Sequence, residues 1–210
     1  MINTNSKLLF IFTLLSIGTI FGRSLSIGYC TDSNGNIQRN GNVRNGSIRK
    51  GDLIYHGDKI ITGHNGTVAF MNIHNRSIVN LYENSVVRVF ENKNQDEKYS
   101  EIALFGGKVI VEMEKEENGS NLILASPTAI ATGSGTHFMA EYKDEILYEN
   151  ISYCVFTVLK GLLSVENVKS SHLIVLDEGD TIISTRSGKF LQLDTFRDKS
   201  GIVNTITKTN

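Results

Sequence analysis

Apolar and polar residues alternate along much of this chain. Val68, Phe70 and Asn72 fall on one side of an extended backbone, and Ala69, Met71 and Ile73 fall on the other; Val109 and Val111 likewise oppose Lys108, Ile110 and Glu112. A period of two is the mark of a β-strand with one face buried. Runs of this kind recur at 52–55, 59–62, 67–73, 77–82, 86–90, 102–105, 108–113, 122–125, 137–142, 155–159, 162–165, 173–176 and 181–184. Turn formers separate them, such as His56-Gly57-Asp58, Gly63-His64-Asn65-Gly66 and His74-Asn75-Arg76. Between 125 and 138 the only proline, Pro127, and the run Gly133-Ser134-Gly135-Thr136 mark defined bends. No segment holds a helical period; the nearest, 143–150, is short. The pattern predicts an all-β fold of short strands, a sandwich, barrel or solenoid.

The two ends read differently. Lys7 precedes an apolar run over 8–21, followed by Gly22, Arg23 and Ser24, which is the three-part form of a secretory signal peptide. The run falls short of the roughly 20 apolar residues of a spanning helix. Residues 1–24 are therefore expected to direct export, with cleavage near Gly22 or Ser24, and an uncleaved anchor is the alternative. Residues 25–50, rich in Asn, Gly, Ser and Arg, read as a polar lead-in with an edge strand at Ile48. The β domain is expected over 51–185, and 186–210 as a final strand around 189–193 and a polar tail.

A net charge of −1 supplies no concentrated basic face for nucleic acid. The charge-dense stretches 91–101 and 112–117 read as solvated loop tips. Cys30 and Cys154, in a chain expected to leave the cytoplasm, form a candidate disulfide. Lipidation of Cys30 is the competing idea, opposed by bulky Tyr29 before it. His56, His64, His74, His137 and His172 lack the close spacing of a zinc site. Ser134 has glycines as immediate neighbours, whereas the nucleophile elbow is Gly-x-Ser-x-Gly. Glu112, Glu114, Glu116 and Glu117 repel rather than pair, and no phosphate-cradling loop is present. No catalytic, metal or cofactor-binding residues are expected, and no cofactor.

Several landmarks fall in one order. Gly57-Asp58 is followed by Thr62-Gly63, then Asn84-Ser85 before a Val-x-Val strand, then Leu104-x-x-Gly107-x-Val109. Ser126-Pro127-Thr128-Ala129, Gly135-Thr136-x-Phe138, Lys160-Gly161-x-Leu163-x-Val165 and Glu178-Gly179-Asp180 complete the series. Together they resemble the FecR domain over about 41–184. The resemblance implies a twisted, solenoid-like stack in which these residues punctuate the fold. Asn75-Arg76-Ser77 departs from the family's Asp-Gly-Ser, which leads to the expectation of a different turn there, and Ser126 replaces the usual threonine before Pro127. FecR itself resembles a three-part regulator with a cytoplasmic sigma-controlling segment. Only residues 1–7 precede the apolar run here, so the sensing domain is expected without that output.

These readings lead to an extracytoplasmic, periplasmic or secreted, non-enzymatic module of the cell envelope that binds without covalent chemistry. The expected partner is another envelope protein met at strand edges or the turn-lined rim. The alternative is a peptidoglycan or other wall glycan, with membrane contact only if the N-terminus is uncleaved or lipidated.

Overall fold

The structure, a computed structural model, describes residues 26–93, 98–114, 121–145 and 151–192. The N-terminal segment expected to direct export lies outside them, as do 115–117, 146–150 and most of the tail. Among the described residues the chain forms 17 strands and no helix. The first eight are β1 (Ser26–Asn34), β2 (Ile37–Asn40), β3 (Asn45–Gly46), β4 (Leu53–Tyr55), β5 (Lys59–Thr62), β6 (Thr67–Asn72), β7 (Ile78–Leu81) and β8 (Val86–Lys93). The long β9 (Lys98–Glu112) follows. After it come β10 (Asn121–Ala125), β11 (Ala129–Gly133), β12 (His137–Glu145), β13 (Ile151–Lys160), β14 (Leu163–Asn167), β15 (Leu173–Leu176), β16 (Thr181–Thr185) and β17 (Phe190–Gln192).

Strand pairing builds two layers that share β9. The first sheet runs β4-β1-β6-β7-β9-β12-β13-β16-β17. The second runs β3-β2-β5-β8-β9-β10-β11-β14-β15. All pairings are antiparallel except β9 with β10. From Lys98 to Gly106 β9 pairs with β8, and from Gly107 to Glu112 with β12 in the other sheet. Gly107 makes that transfer possible. Its φ is +76°, and a Cβ there would lie 2.4 Å from Ser85 Oγ and 2.6 Å from Asn84 O.

Alternation along the strands fills the space between the sheets. Val68 and Phe70 point inward from the first sheet with Val109 and Val111, while Val87, Val89, Ile102 and Leu104 point inward from the second, and all belong to one apolar cluster. Polar side chains cross the same interior: Asn72 Nδ2 donates to Ser100 Oγ at 2.7 Å, and Asn167 Nδ2 to Ser184 Oγ at 2.8 Å. Each of these asparagines also folds its own hairpin. Asn72 Oδ1 accepts the amides of His74 and Asn75, and Asn167 Oδ1 those of Lys169 and Ser170.

The segment read as a polar lead-in is integral to both layers. It carries β1, β2 and β3, and Ile27, Cys30, Ile37 and Arg39 are buried. Ile48 is buried too, outside any strand. The sequence conceals this because its few inward positions are spread among Asn and Gly, and one of them is an arginine. Residues 143–145, the start of the weak helical candidate, extend β12, where Lys143 and Asp144 lie opposite Tyr153 and Ser152. The charged stretch from 91 also differs from a loop tip, since β8 continues to Lys93 and β9 begins at Lys98.

The candidate Cys30–Cys154 disulfide is not formed. Both cysteines are free and buried, in β1 and β13 of the same sheet. Four strands lie between them, so their separation is about 24 Å at the usual strand spacing, against the 4.4–6.8 Å between α-carbons that a bridge needs. Burial raises both thiol pKa values.

Candidate interaction surface

One corner is built three times. In Arg49-Lys50-Gly51-Asp52, Tyr55-His56-Gly57-Asp58 and Asp177-Glu178-Gly179-Asp180, the aspartate Oδ2 accepts the amide three residues back, at 2.9 Å in each case. The aspartate amide returns to the same residue's carbonyl, and the glycines hold φ between +84° and +90°. Each corner then clamps a neighbouring strand residue: Gly57 N donates to Val89 O while Val89 N donates to Asp58 O, and Cys30 and Val158 are held likewise. Glycine is required where a turn needs positive φ, and the aspartate replaces a missing backbone partner. The second residue of each corner, Lys50, His56 or Glu178, is exposed at the rim.

The other motif residues also serve the fold. Thr62 Oγ1 donates to Tyr82 O at 2.5 Å and accepts the Ser85 amide at 2.8 Å, and Ser85 Oγ in turn accepts the Lys108 amide. Gly63 O accepts the amides of Gly66 and Asn84, and with Gly107 these residues make one continuous corner. Thr136 Oγ1 donates to Leu162 O at 2.6 Å beside Gly135 and Gly161. Pro127 sits in the β10–β11 turn, which Ser126 closes by accepting the Ala129 amide at 3.0 Å. The 75–77 turn keeps the demand that glycine would have met, for Arg76 itself takes φ +51°.

The corner at Gly57 brings His56 to side chains from β8 and β9. The His56 ring stands edge-on to Phe90, with centroids 5.6 Å apart, and His56 Nδ1 accepts the Glu91 amide at 3.2 Å. Accepting at Nδ1 leaves the proton of the neutral ring on Nε2. Glu91 Oε1 meets His74 Nε2 at 2.7 Å. Glu101 lies opposite Phe90 on β9, and Lys59 opposite Arg88 on β5. Two open concavities flank the His56–Phe90 pair. One, of about 420 Å³, is bounded by Asn40, Gly41, Asn42 and Arg88; the other, of about 380 Å³, by Glu91, Tyr99 and Glu101. Phe90 thus stands between a basic and an acidic side.

Sequence reading isolates His56 and His74 as turn residues but misses their meeting at Glu91, since nothing local links residues 56, 74 and 91. His64 lies apart from them, 3.6 Å from Glu83. Among the described residues no three His, Cys, Asp or Glu side chains are grouped to hold a metal ion, and no helix is long and apolar enough to cross a membrane. Beneath the surface Arg39 and Asp58 are both buried, 3.9 Å apart, and Arg39 donates to Leu53 O at 2.8 Å.

A layered all-β module whose repeated turns carry ordered motifs defines the class of protein. Residues 58–164, more than half of the chain, match the family described as FecR protein, and this chain belongs to the FecR family. Solved structures similar to it include two crystal structures of a candidate anti-sigma factor from Parabacteroides distasonis ATCC 8503, at 1.65 and 2.50 Å resolution. Their sequence identities are 16% and 15%, each with a TM-score of 0.49 over 69% of this chain. The chain spans 64% and 63% of the length of those two structures. No curated protein matches it.

Proposed function

We propose that this FecR-family chain is an extracytoplasmic sensing module that binds another envelope protein through the surface around His56 and Phe90. The observation that carries the reading is the half-buried Phe90 ring, held by His56 between Arg88 on one side and Glu91 and Glu101 on the other. An aromatic anchor with unlike charges on its two flanks suits a polypeptide segment that presents an apolar side chain between an acidic and a basic residue. The chemistry is recognition without bond-making: the hydroxyls and carboxylates of the motifs are engaged in turns, and the rim offers shape and charge.

The test is capture from envelope extracts by the wild-type chain and by Phe90→Ala and Arg88→Glu. A protein retained by the wild type, lost with both variants, and bound again when purified and mixed with the wild type supports the proposal. Retention on isolated peptidoglycan, competed by free glycan, transfers the surface to a wall glycan, for which the Asn40 and Asn42 amides beside an aromatic ring are suited. Binding that neither substitution weakens overturns the assignment.

A further inference from the structure

A sheet edge left open is a template for another strand, and folds protect such edges with charge, proline, bulges or brevity. The second sheet ends on β3 at one side, only Asn45–Gly46, and on β15 at the other. β15 reads Leu173-Ile174-Val175-Leu176, twice as long as β3, and has no charge, proline or bulge. Among the described residues it pairs only with β14. Leu173 is 55% exposed and Val175 59%.

The backbone fixes which groups of β15 are open. Asn167 N donates to His172 O, so His172 turns its main-chain groups towards β14. With the alternation of an antiparallel ladder, Ile174 and Leu176 do the same, opposite Val165 and Leu163. The N–H and C=O of Leu173 and Val175 therefore point away from the sheet. Beyond them both main-chain groups of Asp177 are taken by the Asp180 corner, and the Ser171 amide by Asn167 O. Four open groups remain, two on each of two residues.

We infer that β15 pairs antiparallel with β15 of a second copy of this chain, Leu173 opposite Val175 and Ile174 on the two-fold axis. In that register the two H-bonded pairs, Leu173 with Val175 and Val175 with Leu173, use all four open groups of each copy. Residues directly opposite keep the same face, so the exposed leucine and valine cover one another across the seam. The ends of the strand agree in charge. Lys169 and His172 precede β15 and Asp177, Glu178 and Asp180 follow it, so the antiparallel arrangement brings the basic end of each strand towards the acidic end of the other. A parallel arrangement would set like against like.

This edge is separate from the His56–Phe90 surface, so its test is independent of partner binding. The full chain, purified in a mild detergent, is followed by sedimentation over a range of concentrations. A reversible dimer is expected, and Val175→Lys, at a site 59% exposed, is expected to raise its dissociation constant about tenfold or more while leaving the melting temperature of the monomer in place. In a Cys30→Ala/Cys154→Ala background, Ile174→Cys is expected to form a disulfide-linked dimer on mild oxidation, because two-fold related residues of a non-hydrogen-bonded pair lie about 4.5 Å apart. Ile130→Cys, on the outer face that carries Leu173 and two strands inward, is expected not to. A chain that stays monomeric throughout, or a dimer that Val175→Lys leaves intact and Ile174→Cys does not trap, overturns the inference.

Discussion

The Asp58 carboxylate closes its own turn through the Tyr55 amide, at 2.9 Å, and lies 3.9 Å from the Arg39 guanidinium, with both side chains sealed from water. Removing one partner of such a pair strands the other charge, at a cost of about 3–5 kcal/mol. Arg39→Met, which leaves the buried Asp58 without its cation, is therefore expected to lower the unfolding free energy by about 3 kcal/mol, and Arg39→Met together with Asp58→Asn to lose less than the two single changes summed. Urea denaturation of the four proteins measures the coupling.

Burial raises the Asp58 pKa from the ordinary 3.8, against the lowering effects of the Tyr55 amide and of Arg39. The folded state then holds this proton more tightly than the unfolded chain does. Stability from this site is present below pH 3.8 and is lost as the pH rises through the folded-state value. Stability measured from pH 3 upward in wild type and Asp58→Asn should show this component in the first and not in the second.

Two glycines with similar backbones predict different costs. Gly57→Ala meets nothing within 4 Å and bears only its φ of +84°, worth about 1–2 kcal/mol. Gly107→Ala adds a clash with the main chain of Asn84 and Ser85, and about 3 kcal/mol or more is expected. Arg76→Gly relieves a residue held at φ +51° and should gain about 0.5–1 kcal/mol. Thermal denaturation ranks the three.

Asn167 supports one hairpin and ties it to the opposite sheet, with its amide donating to Ser184 Oγ and Thr185 O. Asn167→Ala leaves the Lys169 and Ser170 amides without their acceptor and cuts the tie to Ser184 and Thr185, which keep Thr128 O and the Gly188 amide, and about 2–3 kcal/mol is expected from the broken set. Loss of protection in 163–176 and in 181–185 together, by hydrogen exchange, is the specific signature.

Cys30 and Cys154 are buried thiols on separate strands, so the native chain should resist alkylation, and the denatured chain should titrate two thiols without reductant. A reductant should leave the melting temperature unchanged. Intact mass after alkylation with and without denaturant reads this directly.

Strand rhythm was legible because burial alternates residue by residue: Val68 and Phe70 face in, and Ala69 and Met71 face out, as their spacing implies. The turns were legible too, since Gly57, Gly107, Gly161 and Gly179 all take positive φ. What stayed hidden depends on partners distant in sequence. Arg39 reads as surface until Asp58 lies beside it, and β2 is buried partly on its account. Lys143 pairs with Tyr153 across β12 and β13, and that ladder overrides a weak local preference. His56, His74 and Glu91 converge only because corners and hairpins fold three separate segments to one place.

Strand β9 has a consequence for how the chain assembles as it is made. β7 and β8, both earlier in sequence, pair with different stretches of β9, and β10 and β12, both later, pair with those same two stretches. Until β9 emerges, the first eight strands are two ribbons with a raw margin each; once it docks, it closes both margins and offers two new ones. The module grows from that strand as a zipper does from its slider, and a chain halted just beyond Glu112 would carry two sticky margins at once.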